Sequence, residues 1–213
     1  MKEYNKISKA VIKRLPRYRR YLHELRKKGI DRISSNELSA LIGYTASQIR
    51  QDFNNFGGFG QQGYGYNVQT LYDNIGVILG LNHEYNMIIV GSGNLGQALA
   101  NYTHYYRSGF KVCGMFDVNP KLVGMSINDI KIMDYDDMQD YVKKNGIDIG
   151  IISTGKESAQ NVADKMVEAG IKGIWNFAPM DLNVADKIAL ENVHLSDSLH
   201  SLAYEINKNK HLD

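Results

Sequence analysis

A glycine-rich segment carries the clearest chemistry in this sequence of 213 residues. Gly91, Gly93 and Gly96 follow an apolar run at residues 87–90 with the spacing G-x-G-x-x-G. That spacing, between a strand and a helix, is typical of a loop that binds the pyrophosphate of a dinucleotide. The first glycine allows a tight turn, the second lets the phosphates approach the backbone, and the third lets the helix pack closely on its strand. The amides at the start of the helix then favour the phosphate charge.

Asp117 lies where this fingerprint has its acidic residue. It ends a second apolar stretch, 21 residues after Gly96, and the usual separation is about 20 residues. A carboxylate there can accept hydrogen bonds from both hydroxyls of the adenosine ribose and would repel a 2′-phosphate. The pattern predicts NAD(H) as the cofactor rather than NADP(H); the alternative is a glycine-rich turn followed by an unrelated Asp. The predicted contacts are Gly91, Ser92, Gly93, Asn94, Leu95, Gly96 and Asp117.

Charge divides the chain into two parts. Residues 1–66 contain 13 Lys and Arg against 5 Asp and Glu, a net charge of +8, whereas residues 67–213 contain 12 against 18, a net charge of −6. This asymmetry predicts a basic domain that meets a polyanion, joined to an acidic domain that does not. A chain of this length has room for two domains of modest size, each with its own core.

Two capping boxes predict a pair of short helices in the basic part. Ser34 with Glu37, and Thr45 with Gln48, have the spacing of an N-cap residue and its reciprocal partner. A tight turn at Gly43 would separate the two helices, as in a helix-turn-helix. The second helix would present polar side chains that can read base edges or bind phosphates, namely Ser47, Gln48, Arg50, Gln51 and Asn54.

The segments on either side predict a winged helix-turn-helix domain over residues 1–81. A helix over residues 8–28 contains Pro16, so a kink or break near Leu15 is expected. The glycine-rich and aromatic segment after residue 56 predicts a hairpin wing, with Gln61, Gln62 and Tyr64 as candidate DNA contacts. A helix over residues 68–81 would link the domains. The alternative for the whole segment is a helical protein-interaction module with solvated basic side chains.

The acidic part reads as an α/β domain. Predicted strands at residues 148–153 and 173–177 alternate with predicted helices at 135–145 and 157–169, which favours a Rossmann-like, doubly wound parallel sheet over residues 82–197. Residues 198–213 contain a last amphipathic helix. Its apolar stripe of Leu199, Leu202 and Ile206 predicts a homodimer contact, because a small monomer would leave it exposed.

Several classes of protein are disfavoured by what the sequence lacks. Cys113 is the single cysteine and the six histidines have no metal-ligand spacing, so neither a disulfide framework nor a metal site is expected. No run of apolar residues approaches the roughly 18 that a membrane span needs, and the first residues do not read as a signal peptide. We therefore expect a cytoplasmic protein with no membrane partner.

A set of longer segments resembles a known family. In order, the sequence contains KRLPRYRRYL, RISSNELS, SQIRQDFNNFGGFGQQGYGYNV, GSGNLGQALANY and NFAPMDLNV. Together they resemble the bacterial redox-sensing repressor family Rex, over residues 12–204. The resemblance implies a homodimer that binds an AT-rich inverted repeat, represses genes of anaerobic energy metabolism and is released when NADH replaces NAD⁺. It also implies cofactor contacts at Ser153, Thr154 and Phe177, switch contacts that involve Arg14 and Tyr102, and a C-terminal helix exchanged between protomers.

The sequence departs from the family pattern at three places. Gln51 and the Gln61–Gln62 pair replace residues that are basic in other members, Gly155 with Lys156 replaces an apolar-Pro pair, and His194 replaces an acid that contacts the switch Tyr. His194 is therefore the third candidate switch residue. The alternative function is a small NAD-dependent dehydrogenase with an incidental basic N-terminus. A dehydrogenase needs a substrate domain, and the roughly 130 residues after the linker hold only the cofactor fold, so the repressor is favoured and no enzyme activity is expected.

Overall fold

The structure, a computed structural model, describes residues 7–57, 60–61, 64–102 and 108–210, with the side chains of residues 60, 61, 209 and 210 outside the description. The chain divides into two compact units, Met1–His83 and Glu84–Asp213. The N-terminal unit has one hydrophobic core, and the sheet of the C-terminal unit has a core on each face.

The N-terminal unit combines helices with a small antiparallel sheet. Its described elements are α1 (Lys9–Lys27), β1 (Arg32–Ile33), α2 (Ser35–Ile42), α3 (Ala46–Asn54), β2 (Gly60–Gln61), β3 (Gly65–Asn67) and α4 (Val68–Ile78). The strand order is β1-β3-β2. Ile33 lies opposite Tyr66, and Gln61 lies opposite Gly65. The helix pair α2–α3 followed by the β2–β3 hairpin is the winged helix-turn-helix that the sequence predicts.

Helix α1 continues through Pro16, so of the kink or break expected near Leu15, the break does not occur. A proline inside a helix costs about 3 kcal/mol, because it removes one backbone hydrogen bond and crowds the preceding turn. Leu15, Tyr18 and Leu22 are fully buried on the inner face of α1. Each large apolar side chain contributes about 1.5–3 kcal/mol when it is buried. Packing on both sides of Pro16 therefore outweighs the local cost.

Helix α4 is part of the N-terminal core rather than a free linker. Val68, Leu71 and Ile75 are fully buried in that core. The helix ends at Ile78, before the expected position 81, and Gly80 follows with a positive φ of 73°. A glycine in that conformation readily terminates a helix.

The C-terminal unit is built on a seven-stranded sheet. Its described elements are β4 (Tyr85–Val90), α5 (Asn94–Ala100), β5 (Phe110–Asp117), β6 (Ser126–Ile127), β7 (Ile130–Asp134), α6 (Met138–Asn145), β8 (Ile149–Ile152), α7 (Lys156–Ala169), β9 (Gly173–Asn176), β10 (Ala189–Asn192) and α8 (Leu195–Lys210). The strand order is β10-β9-β8-β4-β5-β7-β6. Strand β6 pairs antiparallel with β7, and the other pairs are parallel.

Strand β4 is buried on both faces, which explains its continuous apolar sequence. Ile88 and Val90 pack with residues of α6 and α7 on one face, and Met87 and Ile89 pack with Ala100 of α5 on the other. From β4 the chain moves to β5 and β7 on one side and then returns to β8 on the other side. The carboxyl ends of β4 and β8 therefore form the topological switch point, where doubly wound sheets bind their ligands.

Helix α8 differs from the other helices because its described side chains, residues 195–208, are all exposed. Leu195, Leu199, Leu202 and Ile206 are each at least half exposed. Within the described ranges, no helix is long and apolar enough to cross a membrane.

Candidate cofactor and DNA-binding sites

The glycine loop has the conformation that each glycine predicts. Gly91 has a φ of +98°, and its N–H donates to the carbonyl oxygen of Phe116 on the neighbouring strand at 2.9 Å. A Cβ at Gly96 would collide with the carbonyl oxygen of Gly91, so only glycine lets α5 start this close to β4. A Cβ at Gly93 would meet nothing within 4 Å. The backbone at Gly93 therefore borders open space, as the predicted phosphate site requires.

The Asp117 carboxylate ties the glycine loop to the end of β5. Its Oδ2 accepts from the backbone N–H of Ser92 at 2.5 Å, and its Oδ1 accepts from the N–H of Asn119 at 2.8 Å. Each carboxylate oxygen can accept a second hydrogen bond. Asp117 is half-buried at the edge of the loop and can bind ribose hydroxyls while it holds the loop in place.

A cavity of about 310 Å³ lies over these residues at the carboxyl ends of the strands. Five of the predicted cofactor residues line it, namely Gly91, Gly93, Asp117, Ser153 and Thr154. Ser153 also closes the gap between β4 and β8, because its hydroxyl donates to the carbonyl oxygen of Gly91 at 2.8 Å. The arrangement fits a nucleotide: an open glycine backbone for phosphates, a carboxylate for ribose, and the apolar Val90 and Val162 for a ring.

The other predicted cofactor residues lie outside the lining of this cavity. Ser92 is buried in the loop behind it, and the first turn of α5 contains Asn94, Leu95 and the buried Gly96. Phe177 packs on Trp175, with ring centroids 4.7 Å apart. Sequence reasoning missed seven lining residues, namely Val90, Val118, Tyr135, Gly155, Ser158, Asn161 and Val162. Two sequence signals point to some of them. Val118 lies next to Asp117, and the spacing of Ser158 and Asn161 places both on one face of α7.

The helix-turn-helix is capped at both helices, but its two caps differ. At α2, Ser34 accepts from the N–H of Glu37 and Glu37 accepts from the N–H of Ser34, so the capping box is complete. At α3, Thr45 accepts from the N–H of Gln48 at 3.1 Å. The Gln48 side chain does not return this bond, because its Nε2 donates to Asp52 at 2.9 Å. The second capping box is therefore only half formed.

Four of the five DNA contacts predicted for α3 lie on its outward face. Ser47, Arg50, Gln51 and Asn54 are exposed, whereas Ile49 and Phe53 are buried on the inner face. Gln48 differs from the expectation of an outward side chain, because it is half-buried and bonded to Asp52. The guanidinium of Arg50 donates to the hydroxyl of Ser35 at 2.9 Å, which holds the base-reading candidate against the start of α2.

The wing is described in part. Tyr64 is 71% exposed, and its carbonyl oxygen accepts from the Arg32 guanidinium at 3.3 Å. The backbone of Gln61 pairs with Gly65, but its side chain lies outside the description, as does the whole of Gln62.

The three candidate switch residues occupy different settings. Arg14 pairs with the buried Asp52 through two hydrogen bonds of 2.7 Å, so its guanidinium is already committed within the N-terminal unit. Tyr102 lies just after the end of α5; it is 53% exposed, and its N–H donates to the carbonyl oxygen of Leu99. His194 immediately precedes α8, and its Nε2 lies 3.0 Å from Oδ1 of Asp181.

The pKa of His194 is expected to lie above the ordinary histidine value. The hydrogen bond with Asp181 raises the pKa of His194, the charge of Asp181 adds to this, and the charge of Asp197 adds less. Because the folded state favours the imidazolium, the pair stabilises the fold at low pH and loses that contribution as the pH rises through the raised pKa. An NMR titration of the imidazole should give a lower pKa in Asp181→Asn than in wild type. Asp197→Asn is the matched control, and an equal or larger decrease there would contradict the assignment.

Together the two units define a class of protein: a DNA-binding helix-turn-helix module joined to a dinucleotide-binding sheet, which makes a nucleotide-responsive DNA-binding protein. A family model described as a CoA binding domain matches residues 82–180, and one described as a putative DNA-binding protein N-terminus matches residues 6–54. Among the described residues, no group of three or more His, Cys, Asp or Glu could hold a metal ion.

Curated relatives and solved structures identify the family. A redox-sensing transcriptional repressor Rex of Thermoanaerobacter pseudethanolicus is 59% identical, over 98% of this chain and 93% of the relative. A Rex protein of Clostridium perfringens is 59% identical, over 98% of this chain and 99% of the relative. The chain belongs to the Rex family of redox-sensing transcriptional repressors.

Two solved structures of a Rex-family repressor, RSP, are similar to this chain over nearly its whole length. RSP in complex with NAD⁺ and operator DNA matches with a TM-score of 0.91 and 58% identity, over 97% of this chain and 95% of that one. RSP in complex with NADH matches with a TM-score of 0.90 and 55% identity, over 97% of each chain. The relatives are named as repressors and not as enzymes.

Proposed function

We propose that this protein is a cytoplasmic transcriptional repressor that senses the NADH/NAD⁺ balance. It binds an AT-rich inverted-repeat operator as a homodimer and leaves the DNA when NADH replaces NAD⁺, which controls genes of anaerobic or fermentative energy metabolism. The observation that carries the proposal is the presence in one chain of the α2–α3 helix-turn-helix and the glycine-bordered cavity at Asp117. RSP, which binds NAD⁺, NADH and operator DNA, supports both halves.

NAD(H) is the proposed ligand of the cavity. Its diphosphate would lie against the backbone at Gly91 and Gly93, and its adenosine ribose would bind Asp117, which disfavours a 2′-phosphate by charge repulsion. Ser153 and Thr154 would border the cofactor at the end of β8. The redox chemistry belongs to the nicotinamide, and the residues of this chain bind and orient the cofactor. Phe177 remains a proposed contact only through the family resemblance.

A dehydrogenase is the second candidate and fits the cavity less well. Catalysis of hydride transfer needs an acid or base that is positioned beside the substrate. Among the described residues that line the cavity, the titratable side chains are Asp117 and Tyr135. Asp117 is engaged with the loop, and the Tyr135 hydroxyl is buried.

The two candidate functions give opposite results in one experiment. Duplexes that the protein retains with NAD⁺ are selected from a random-sequence pool, and their binding is then measured with saturating NAD⁺ and with saturating NADH. A repressor of the proposed kind enriches an inverted repeat and releases it with NADH. Failure to enrich any sequence, together with turnover of NADH when small carbonyl compounds are added, would favour the dehydrogenase.

Arg50→Ala is expected to weaken operator binding, because Arg50 is an exposed cation on the outward face of α3. The loss should be about 1–3 kcal/mol if the guanidinium pairs with a guanine, whereas a phosphate contact would lower the salt slope by about one. Fluorescence anisotropy at several salt concentrations separates the two cases. Lys27→Ala removes the same charge from the end of α1 and is the matched control. Equal operator affinities for Arg50→Ala and wild type would remove Arg50 from the interface.

Helix α8 is the proposed dimer contact. Residues 195, 199, 202 and 206 are spaced by four, three and four, so they form one exposed apolar stripe on the helix. In water such a stripe is stabilised when a second copy covers it. The apolar stripe consists of Leu195, Leu199, Leu202 and Ile206.

Leu199→Glu combined with Leu202→Glu is expected to convert the dimer to a monomer, because both charges fall inside the apolar stripe. Truncation before Ser198 should do the same or cause aggregation. Tyr204→Glu is the matched control, since Tyr204 is exposed but lies about 180° from Leu195 around the helix. Sedimentation velocity distinguishes the states, and a dimer that survives the double substitution would refute this contact.

A further inference from the structure

The recognition helix α3 carries a fully buried carboxylate on the face that points away from the predicted DNA contacts. The Asp52 side chain accepts four hydrogen bonds: from Nε and one terminal nitrogen of Arg14 at 2.7 Å each, from the hydroxyl of Tyr18 at 2.7 Å, and from the amide of Gln48 at 2.9 Å. Asp52 is 0% exposed. A buried charge is costly unless it is paired and fully bonded, and here it is both.

The charges of this network are fixed by its contacts. Burial raises the pKa of the Asp52 carboxyl, but the hydrogen bonds from Arg14, Tyr18 and Gln48 together outweigh burial and lower the pKa. Burial and the hydrogen bond to Asp52 raise the pKa of Tyr18. The carboxylate is therefore ionised and the Tyr18 hydroxyl keeps its proton as a donor.

Three of the four hydrogen bonds come from Arg14 and Tyr18 on one face of α1, and the fourth comes from Gln48 on α3 itself. Arg14 and Tyr18 are four residues apart on α1, and Gln48 and Asp52 are four residues apart on α3, so one helical turn of each meets the other. Helix α1 also holds the turn of the helix-turn-helix. The Arg17 guanidinium donates to the carbonyl oxygen of Ile42 at 2.7 Å and lies 5.0 Å from the ring centroid of Tyr44.

Hydrogen bonds fix the orientation of α3 more strictly than the surrounding apolar contacts do. Ile49 and Phe53 bury α3 in the core, and the Tyr18 and Phe53 rings meet edge to face at 5.0 Å. Burial of apolar area is non-directional, so it holds α3 in the core while tolerating small slides and rotations. The three hydrogen bonds from Arg14 and Tyr18 to one carboxylate allow a single axial position and rotation of α3 against α1.

We propose that Asp52 is the positioning residue of the recognition helix, held by Arg14 and Tyr18 at the position where Ser47, Arg50, Gln51 and Asn54 meet the bases together. The inference rests on the proposed DNA-binding function. It also assigns Arg14 a role within the DNA-binding unit, separate from the switch contact that the family resemblance implies. Base contacts depend on the position of α3, whereas non-specific attraction to phosphates depends on charge.

The test compares two duplexes: one selected by the wild-type protein from random DNA, and one of the same composition with scrambled order. Tyr18→Phe removes the hydroxyl but keeps the ring contacts, and it should weaken binding to the selected duplex about fivefold. Asp52→Asn should weaken it about tenfold or more. Binding to the scrambled duplex should stay within about twofold, and the salt slope should not change, because no phosphate contact is lost.

Charge gives the decisive control. Asp52→Asn removes a negative charge, which by electrostatics alone would tighten DNA binding, so the positioning role predicts the opposite sign. Glu24→Gln removes the same charge at an exposed site on α1. It should leave the affinity for both duplexes unchanged or raise it slightly. Circular dichroism and NADH titration establish that each variant is folded; if Asp52→Asn is not, Tyr18→Phe and Arg14→Lys carry the test.

The outcomes separate the two proposals. A folded Tyr18→Phe or Asp52→Asn protein that keeps the wild-type ratio of selected to scrambled affinity would overturn the positioning role and leave the DNA-binding function standing. An equal loss on both duplexes would also overturn it. A wild-type protein with no preference for any duplex would refute the DNA-binding function itself, and the inference with it.

Discussion

Gly96→Ala is expected to destabilise the C-terminal unit by about 3 kcal/mol or more and to abolish measurable NADH binding. The added Cβ would collide with the carbonyl oxygen of Gly91, a backbone atom that cannot rotate away. Either α5 or the loop must then move from β4. Urea unfolding measures the loss of stability, and NADH fluorescence measures the loss of binding.

Gly93→Ala should have a different effect from Gly96→Ala. A Cβ at Gly93 meets nothing within 4 Å, and its φ of −70° suits any residue, so stability should change by less than about 1 kcal/mol. The methyl group would nevertheless occupy the space that the phosphates need. NADH affinity should fall about tenfold or more, which corresponds to about 1.4 kcal/mol.

Gly173→Ala is the matched control for both substitutions. Its Cβ would make only ordinary contacts, the nearest at 3.6 Å, and Gly173 is not among the lining residues of the cavity. Stability and NADH affinity should both stay near wild type. If Gly93→Ala binds NADH as tightly as wild type does, the glycine loop is not the phosphate site.

The sequence predicted the parts of this protein that depend on local residue patterns. The glycine spacing located the β4–α5 loop because only glycine satisfies the crowding at Gly96 and the positive φ at Gly91. The capping boxes located α2 and α3, whose starts are fixed by side-chain bonds within four residues. The family resemblance, confirmed by the relatives, added the combination of the two units and the repressor function.

What the sequence did not predict depends on contacts between distant residues. Pro16 reads as a helix breaker, yet burial of its neighbours keeps α1 continuous. Leu41 has the apolar spacing of the inner face of α2, next to the buried Leu38 and Ile42, but it is 45% exposed. Gln48 has the spacing of a cap and the chemistry of a base reader, but Asp52 takes its amide. The short strands β6 and β10 carry no strong apolar pattern, whereas β7 has the alternation Ile130, Lys131, Ile132 and was missed.

The Arg14–Asp52 pair is the clearest case of this limit. The two residues are 38 positions apart, and each alone reads as a solvated charge on a helix. Folding brings them to 2.7 Å in a site where Asp52 has no access to water. Helical periodicity does place position 52 on the inner face with Ile49 and Phe53. A charged side chain is nevertheless usually exposed to solvent, so the sequence alone favours an exposed Asp52.

NADH and operator DNA are expected to weaken each other's binding by the same factor. The proposed DNA site at α3 and the proposed NADH site at the glycine loop belong to one chain, and linkage requires that the coupling between them be reciprocal. Couplings of this kind are typically about 1–3 kcal/mol, or about 5–150-fold. In the proposed homodimer this coupling would be effective, because the two recognition helices must sit about one DNA turn apart, and a small change in the angle between the protomers would remove contacts with the operator.

Tyr102→Phe should reduce this coupling more than it reduces NADH affinity. Tyr102 follows directly after α5, whose first turn continues the glycine loop, and its side chain is 53% exposed. We expect this effect because the family resemblance makes Tyr102 a switch residue, whereas Tyr102 is not among the residues that line the cavity. The coupling factor is measured in two ways: from the NADH dissociation constant with and without the operator duplex, and from the operator dissociation constant with and without NADH. The scrambled duplex and NAD⁺ are the controls.

The coupling is falsified if operator affinity is the same at saturating NAD⁺ and at saturating NADH. If Tyr102→Phe reduces the coupling and the NADH affinity equally, Tyr102 is a simple binding residue.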